Sequence, residues 1–357
     1  MALVRRALMV AAGLVVLTAP PALAHALNGA APSNYRTRIL DVEPELPGIS
    51  VEVVEAGNRL LLTNTGEQEA IVLGYAQEPY LRVGPEGVFE NLRSPATYRN
   101  RSRFPTDEVP AKAQNPQATP EWSKVSDDNN VRFHDHRVHY MGLQPPGPVR
   151  AAPNQEHVII PAWEVPIEVG DEKILVKGDL AWIPGPSSMP WLGIAAVLGL
   201  ALVGLALGPG GKQPKLATVL VVAALAALVV LDVARLAGLA SNVGSSLGKA
   251  AGQNLQAVAG WITAVAAAAL LLRGDTRAGP ALAAGAGALF ALGSFGDIDI
   301  LSSSQVASDA PMWLMRLSVA SGLGLGLGLL VVAFVPLIYQ SGPAPAAAGS
   351  PEPVPAD

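Results

Sequence analysis

The feature that most constrains this chain is a change of composition near Pro190. Before it the sequence is polar, proline-rich and cut into short alternating runs. After it, five long apolar runs follow one another almost to the end: Trp191–Leu207, Leu216–Leu236, Leu255–Leu272, Pro280–Phe295 and Trp313–Tyr339. A helix needs about 20 apolar residues to cross the hydrocarbon core of a bilayer. The second and fifth runs meet that length; the first and fourth are short, and the fourth is rich in Ala and Gly, which suit close helix packing. Over 357 residues the chain is 50% hydrophobic and 15% charged, with a mean hydropathy of +0.34. Those values imply an integral membrane protein in two halves, a polar one and an apolar one of about five transmembrane helices. A net charge of −5 argues against nucleic acid as a partner. The absence of cysteine excludes disulfides, iron–sulfur clusters, covalent haem and Cys-based zinc sites.

The N-terminus reads as a secretory signal over 1–24. Arg5 and Arg6 precede the apolar run Leu8–Leu17, Pro20 and Pro21 break it, and Ala22-Leu23-Ala24 supplies small residues for cleavage. Ala24-His25-Ala26 fits the cleavage pattern too, so the mature chain is expected to begin at His25 or Leu27. A cleaved signal puts the polar half, 25–186, outside the cell membrane and the helical half, 190–340, within it. Loop charges agree. The loops expected inside carry Lys212, Lys215, Arg273 and Arg277; those expected outside carry Lys249, Asp297, Asp299 and Asp309. The Pro/Ala-rich tail 341–357 reads as disordered and cytoplasmic.

The polar half reads as all-β. Ile49–Glu55 and Arg59–Asn64 alternate around Ala56-Gly57-Asn58, a hairpin pattern. Ala70–Tyr75, Tyr80–Val83, Val158–Ile160, Trp163–Val169 and Ile174–Ile183 are further strands, with turns at Gly84–Gly87 and Gly170-Asp171. Many short strands between Gly/Pro turns predict an immunoglobulin-like β-sandwich. The stretch Pro105–Asn130 reads as a long surface loop.

Three of the five histidines fall within six residues, in Phe133-His134-Asp135-His136-Arg137-Val138-His139-Tyr140-Met141. Imidazole, carboxylate and thioether are the side chains that hold transition metals where no thiolate exists. Under the expected topology His25, His134, His136, His139 and His157 all lie outside. Read as a strand, the segment points His134 and His136 to one face and Asp135, Arg137 and His139 to the other. His134 and His136 are then the pair that can share an ion, and His139 joins them only through a bend after Arg137. A chain starting at His25 adds an amine and a third imidazole, a square-planar set suited to Cu(II). Asp135 reads as an axial or outer partner and Met141 as a ligand for Cu(I). The competing reading is a hydrogen-bonded polar strand in which Arg137 pairs with Asp135 or a distant carboxylate. His157, which opens a strand, reads as structural.

The order of leader, N-terminal His, small β-domain and helical membrane domain resembles the CopC–CopD type of bacterial copper proteins. Trp163-Glu164-Val165, Gly170-Asp171 and Val176-Lys177-Gly178-Asp179-Leu180 are similar to the last strands of the CopC domain. The family carries a His after its Asp-Gly turn where this chain has Glu172, and the CopD type has more than five spans. The chain also resembles a set of uncharacterised actinobacterial membrane proteins over Ser33–Thr37, Glu78–Val83, Ser94–Tyr98 and His134–Met141. The first resemblance implies a copper ion as cofactor and copper-handling or envelope proteins as partners, beside the lipid bilayer. The expectation is therefore a non-enzymatic, membrane-anchored metal-binding protein in copper uptake, delivery or homeostasis. The alternatives are a β-domain that recognises an envelope partner, and a transporter component.

Other features have plain readings. Arg93, Arg99, Arg101 and Arg103 around Tyr98 read as a solvated loop. Asp232 and Arg235, three apart on one helical face, read as the border of the second span. Gly322, Gly324, Gly326 and Gly328 read as helix-packing positions. No nucleophile–base arrangement or nucleotide fingerprint is legible.

Overall fold

The structure, a computed structural model, describes residues 31–101 and 108–340, with side chains described through 333. The expected signal 1–24, His25, Arg103 and the tail 341–357 lie outside the described residues. The described residues of the polar half form ten strands: β1 (Tyr35–Glu43), β2 (Ile49–Val54), β3 (Arg59–Asn64), β4 (Ala70–Leu73), β5 (Pro79–Gly84), β6 (Gly87–Asn91), β7 (Trp122–Ser126), β8 (Asn130–Phe133), β9 (His157–Val169) and β10 (Glu172–Trp182). Two short helices interrupt them, α1 (Pro95–Arg99) and α2 (Gly147–Ala151). All pairings are antiparallel. They give a seven-stranded sheet, β1-β10-β9-β4-β5-β6-β7, and a three-stranded sheet, β2-β3-β8.

Alternation along the strands builds the core. In β3, Leu60, Leu62 and Asn64 point inward while Arg59, Leu61 and Thr63 are half-covered. Leu60, Leu62 and Phe133 from the small sheet meet Val72, Val83, Val88, Val165, Ile167, Ile174 and Val176 from the large one in a single apolar cluster. The strands expected at 158–160 and 163–169 are one continuous strand, β9. The long loop expected over 105–130 contains β7, which pairs with β6 at the sheet edge. Within the basic run, Arg93 pairs with Glu121 and Arg101 with Glu90, both at 3.2 Å.

The apolar half forms α3 (Met189–Leu207), a short α4 (Pro209–Lys212), α5 (Pro214–Asn242), α6 (Leu247–Gln253), α7 (Leu255–Leu272), α8 (Ala278–Gly296) and α9 (Met312–Gln340). Five of the described helical stretches are long and apolar enough to cross a membrane. The span at α9 is 56% buried against 17–33% for the others, which makes it the central helix. Its glycines divide by face. A Cβ on Gly322 or Gly326 would run into Ser294 or the Gly287 carbonyl of α8; one on Gly324 or Gly328 would meet the Ala195 or Gly199 carbonyl of α3. Spacing of i, i+4 thus gives α9 two close-packing stripes.

Asp232 and Arg235 do not stand at the end of their helix. α5 continues to Asn242, and both residues are buried among neighbouring helices, 9% and 7% exposed. They are the eleventh and eighth residues from the end of α5, and the sequence does not announce their burial, because polar Ser241 and Asn242 follow about two turns after Arg235.

The two halves meet at a hydrogen-bonded joint. Ser33 and Gln305 exchange both backbone bonds at 2.9 Å. Ser304 donates its N–H to Asn34 Oδ1 at 2.8 Å and its hydroxyl to the Ile183 carbonyl at 2.9 Å. Arg132 of β8 donates to the Asn242 carbonyl at the end of α5, at 2.8 Å. The loops 243–254 and 297–311 therefore share the β-domain's side of the bundle. The loops carrying Lys212, Lys215, Arg273 and Arg277 lie at the opposite end.

Candidate functional site

The histidine segment is not a strand. β8 ends at Phe133, opposite Leu60, and the chain then turns through a short 3₁₀ helix, His136–Val138. Asp135 starts that turn as its N-cap, accepting from the Arg137 N–H at 3.0 Å. It also takes a bidentate pair from the Arg137 guanidinium, Nε at 2.9 Å and Nη2 at 2.6 Å. Arg137 Nη2 reaches on to the Leu73 carbonyl at 2.9 Å. Val138 enters the core, and Thr37 Oγ1 donates to its carbonyl at 2.9 Å. The strand expectation fails because Phe133 and Val138 both belong to the core. Residues five apart on a flat strand point to opposite faces, so the chain must turn between them.

The turn gathers all three imidazoles. The rings of His134 and His139 stack at 4.2 Å between centroids with planes 12° apart; those of His134 and His136 meet edge-on at 5.1 Å and 79°. His134 is buried. Its Nδ1 lies 2.9 Å from the Asn58 carbonyl, which fixes the tautomer with the proton on Nδ1. Its Nε2 then carries the lone pair, and that atom is buried with no hydrogen-bond partner among the described residues. Burial pushes the imidazole below its ordinary value of 6.5, toward the neutral form that binds metals. The backbone N–H of His136 donates to the Tyr75 hydroxyl at 3.2 Å, and that hydroxyl donates to Asn100 Oδ1. Burial pushes Tyr75 above the ordinary phenol range, so it stays protonated.

This geometry separates the expected ligands. An imidazole lone pair lies in the ring plane, and a metal sits in that plane about 2.0–2.1 Å from the nitrogen. The nearly parallel planes of His134 and His139 do not meet near either ring, so the two cannot share an ion as they stand. The nearly perpendicular planes of His134 and His136 do cross. Asp135, fully buried and bound to Arg137 through both oxygens, is an anchor of the turn and is not aimed at the rings. Met141 follows half-buried, beyond Tyr140, whose ring stacks on Tyr35 at 5.5 Å. His157 is engaged elsewhere, with Nε2 2.8 Å from the Ala152 carbonyl. Among the described residues, no group of three or more His, Asp or Glu side chains is placed to hold one ion. The described residues bring two imidazole rings together and do not form a complete metal site.

Sequence reasoning missed Asn58 and Tyr75. Both act at a distance of more than 60 residues through a carbonyl and a hydroxyl, contacts that carry no local signal. No protein-family model matches the chain, and no curated protein or solved structure is significantly similar to it.

Proposed function

We propose that this protein is a membrane-anchored, extracytoplasmic metal-binding protein, with copper as the ion and His134 and His136 as its paired ligands. The observation that carries the proposal is the Nε2 of His134. A buried acceptor without a partner loses its hydration for nothing in return, which native proteins rarely tolerate without a reason. Here the carbonyl of Asn58 holds the ring in the ligand tautomer, as outer partners do in metal sites, and the His136 ring stands at a workable angle. His25, as a mature N-terminus, would add the amine and imidazole that complete a Cu(II) set. His139 supports His134 by stacking, and Asp135 shapes the turn. Loop charges favour an outside β-domain, since the basic loops lie at the far end of the bundle. Two antiparallel sheets over one core favour the immunoglobulin-like reading of that domain.

The test is competitive Cu(II) titration of the full-length protein in detergent, with circular dichroism to confirm folding. His134→Ala with His136→Ala is expected to abolish binding. Unchanged affinity in a folded double variant would refute the proposal. It would favour a second reading, in which stacked histidines and the Asp135–Arg137 pair only stiffen a turn of an envelope-binding module.

A further inference from the structure

The turn that carries Asn58 is held by more than its bond to His134. Glu55 and Ala56 stand at φ +54° and Gly57 at +91°, three successive residues in the left-handed region, which side chains with a Cβ disfavour. Such a conformation persists only where its surroundings impose it. The contacts that impose it reach in two directions. Toward the histidines, the Asn58 carbonyl lies 2.9 Å from His134 Nδ1, and Gly57 packs on Thr37, where a Cβ would stand 3.3 Å from the threonine Cβ. Thr37 in turn donates to the Val138 carbonyl, at the far end of the histidine turn.

Toward the helical half, the buried carboxylate of Glu55 lies between two guanidiniums. Its Oε1 is 3.4 Å from Arg59 Nη1 and 3.5 Å from Arg132 Nη1. The same Arg132 nitrogen donates to the Asn242 carbonyl at 2.8 Å, at the end of α5. Asn242 Nδ2 donates to Asp309 Oδ1 at 2.8 Å, and the Asp309 N–H donates to the Gly238 carbonyl at 3.1 Å. That end of α5 is thus tied to the segment leading into α9, the central helix. Glu55 Oε2 is buried and has no hydrogen-bond partner among the described residues. A buried carboxylate oxygen left open needs an explanation. Arg132 supplies one: its tight bond is to α5, and its loose contact is to Glu55, beside the open oxygen. A second arrangement is within reach, in which Arg132 takes both carboxylate oxygens and releases Asn242.

We infer that Glu55 and Arg132 are positioning residues for the His134 ring and couple its occupancy to the end of α5. With the turn locked by His134, Glu55 stays in place and Arg132 stays on Asn242. With the turn relaxed, the carboxylate moves onto Arg132 and the hold on α5 is lost. The Nδ1–H becomes a stronger donor to Asn58 when Nε2 is bound to a metal, so occupancy favours the locked arrangement. Coupling between sites needs an element with two arrangements that both sites bias, and the Arg132 bond is that element. The inference rests on the proposed metal site for the identity of the ligand; the link from His134 to α5 is a property of the chain without metal.

The experiment is hydrogen–deuterium exchange of the full-length protein in detergent, read at the amides of 240–245, with and without Cu(II). Without metal, His134→Ala removes the bond to Asn58 and is expected to speed exchange there. His139→Ala, which keeps that bond, is expected to leave it near the native rate. Exchange unchanged in the folded His134→Ala protein, or raised equally by His139→Ala, would overturn the inference. With metal, Cu(II) is expected to slow exchange at the same amides by about fivefold or more. Arg132→Gln and Glu55→Gln are expected to weaken Cu(II) binding by a like factor, because coupling between two sites is reciprocal. Copper binding with no change at 240–245 would overturn the inference and leave the metal site standing. Native copper affinity in both folded variants would overturn it too. A native protein that binds no copper would refute the metal site, and the metal-free comparison would then decide the coupling by itself.

Discussion

His134 shows how one backbone carbonyl can decide what an imidazole does. With Nδ1–H given to Asn58, the ring offers a buried lone pair at Nε2 and resists protonation. His134 is expected to titrate below 6.5 in the metal-free protein, read by ring-proton NMR; a value above the ordinary one would contradict the assigned tautomer and burial. Asp135 makes a second residue-scale case. It caps the turn and neutralises Arg137, whose side chain is 18% exposed. Asp135→Asn leaves that guanidinium short of its counter-charge at a cost of about 3 kcal/mol, measurable by chemical denaturation, whereas loss of a surface pair costs under about 1 kcal/mol. The clustered imidazoles were legible from residue identity alone. The role of Asp135 was not, because it looks like a ligand until its neighbour two residues on claims both oxygens.

At the scale of elements, what could be read depended on how strongly each element declares its period. Helices apolar on every face announce themselves, and α7 runs over the expected bounds, Leu255–Leu272. β1 does not: Tyr-Arg-Thr-Arg-Ile-Leu-Asp-Val-Glu buries Thr37 fully and half-covers Ile39, as an edge strand held by β10 alone. β7 and β8 are five and four residues long and mostly polar, too short for alternation to stand out. Between β1 and β10, Arg38 hydrogen-bonds Asp179 and holds its carboxyl below the ordinary 3.8. The unfolded chain binds that proton first as pH falls, so this stabilisation is complete above 3.8 and is lost as pH drops through the lower folded value. Asp179→Asn should flatten the acid limb of the stability curve; an unchanged limb would show that the pair contributes nothing. In the bundle, Gly324→Ala drives a methyl into the Ala195 carbonyl and should lower Tm. Gly193→Ala, with open space around it, should hold or raise Tm, since Ala suits a helix better by about 0.5–1 kcal/mol. Equal effects would refute the close crossing of α9 and α3.

At the scale of the molecule, the ends of the β-domain and the loop 302–305 are stitched together, so the domain is held on the bundle at both its entry and its exit. Gly185 packs against the Ser302 carbonyl with no room for a side chain. Gly185→Val should therefore loosen the joint, raising protease sensitivity near 183–187 without unfolding either half. The absence of native cysteine allows a direct test of sidedness. Leu143→Cys, at a position 90% exposed on the β-domain, should react with an impermeant maleimide on intact cells, and Lys212→Cys should not. The reverse pattern would turn the protein over and place the histidines inside. The two-part build was legible because the bilayer demands a composition no soluble domain needs; the joint was not, since it is made by backbone groups and small polar side chains.

The copper assignment is tested most directly by electron paramagnetic resonance of the full-length protein loaded with one equivalent of Cu(II). The spectrum should show a single site with imidazole nitrogen couplings that disappear in the folded His134→Ala, His136→Ala variant and persist in His139→Ala. A spectrum of free or nonspecific copper in the native protein, or nitrogen couplings that survive the double substitution, would contradict it.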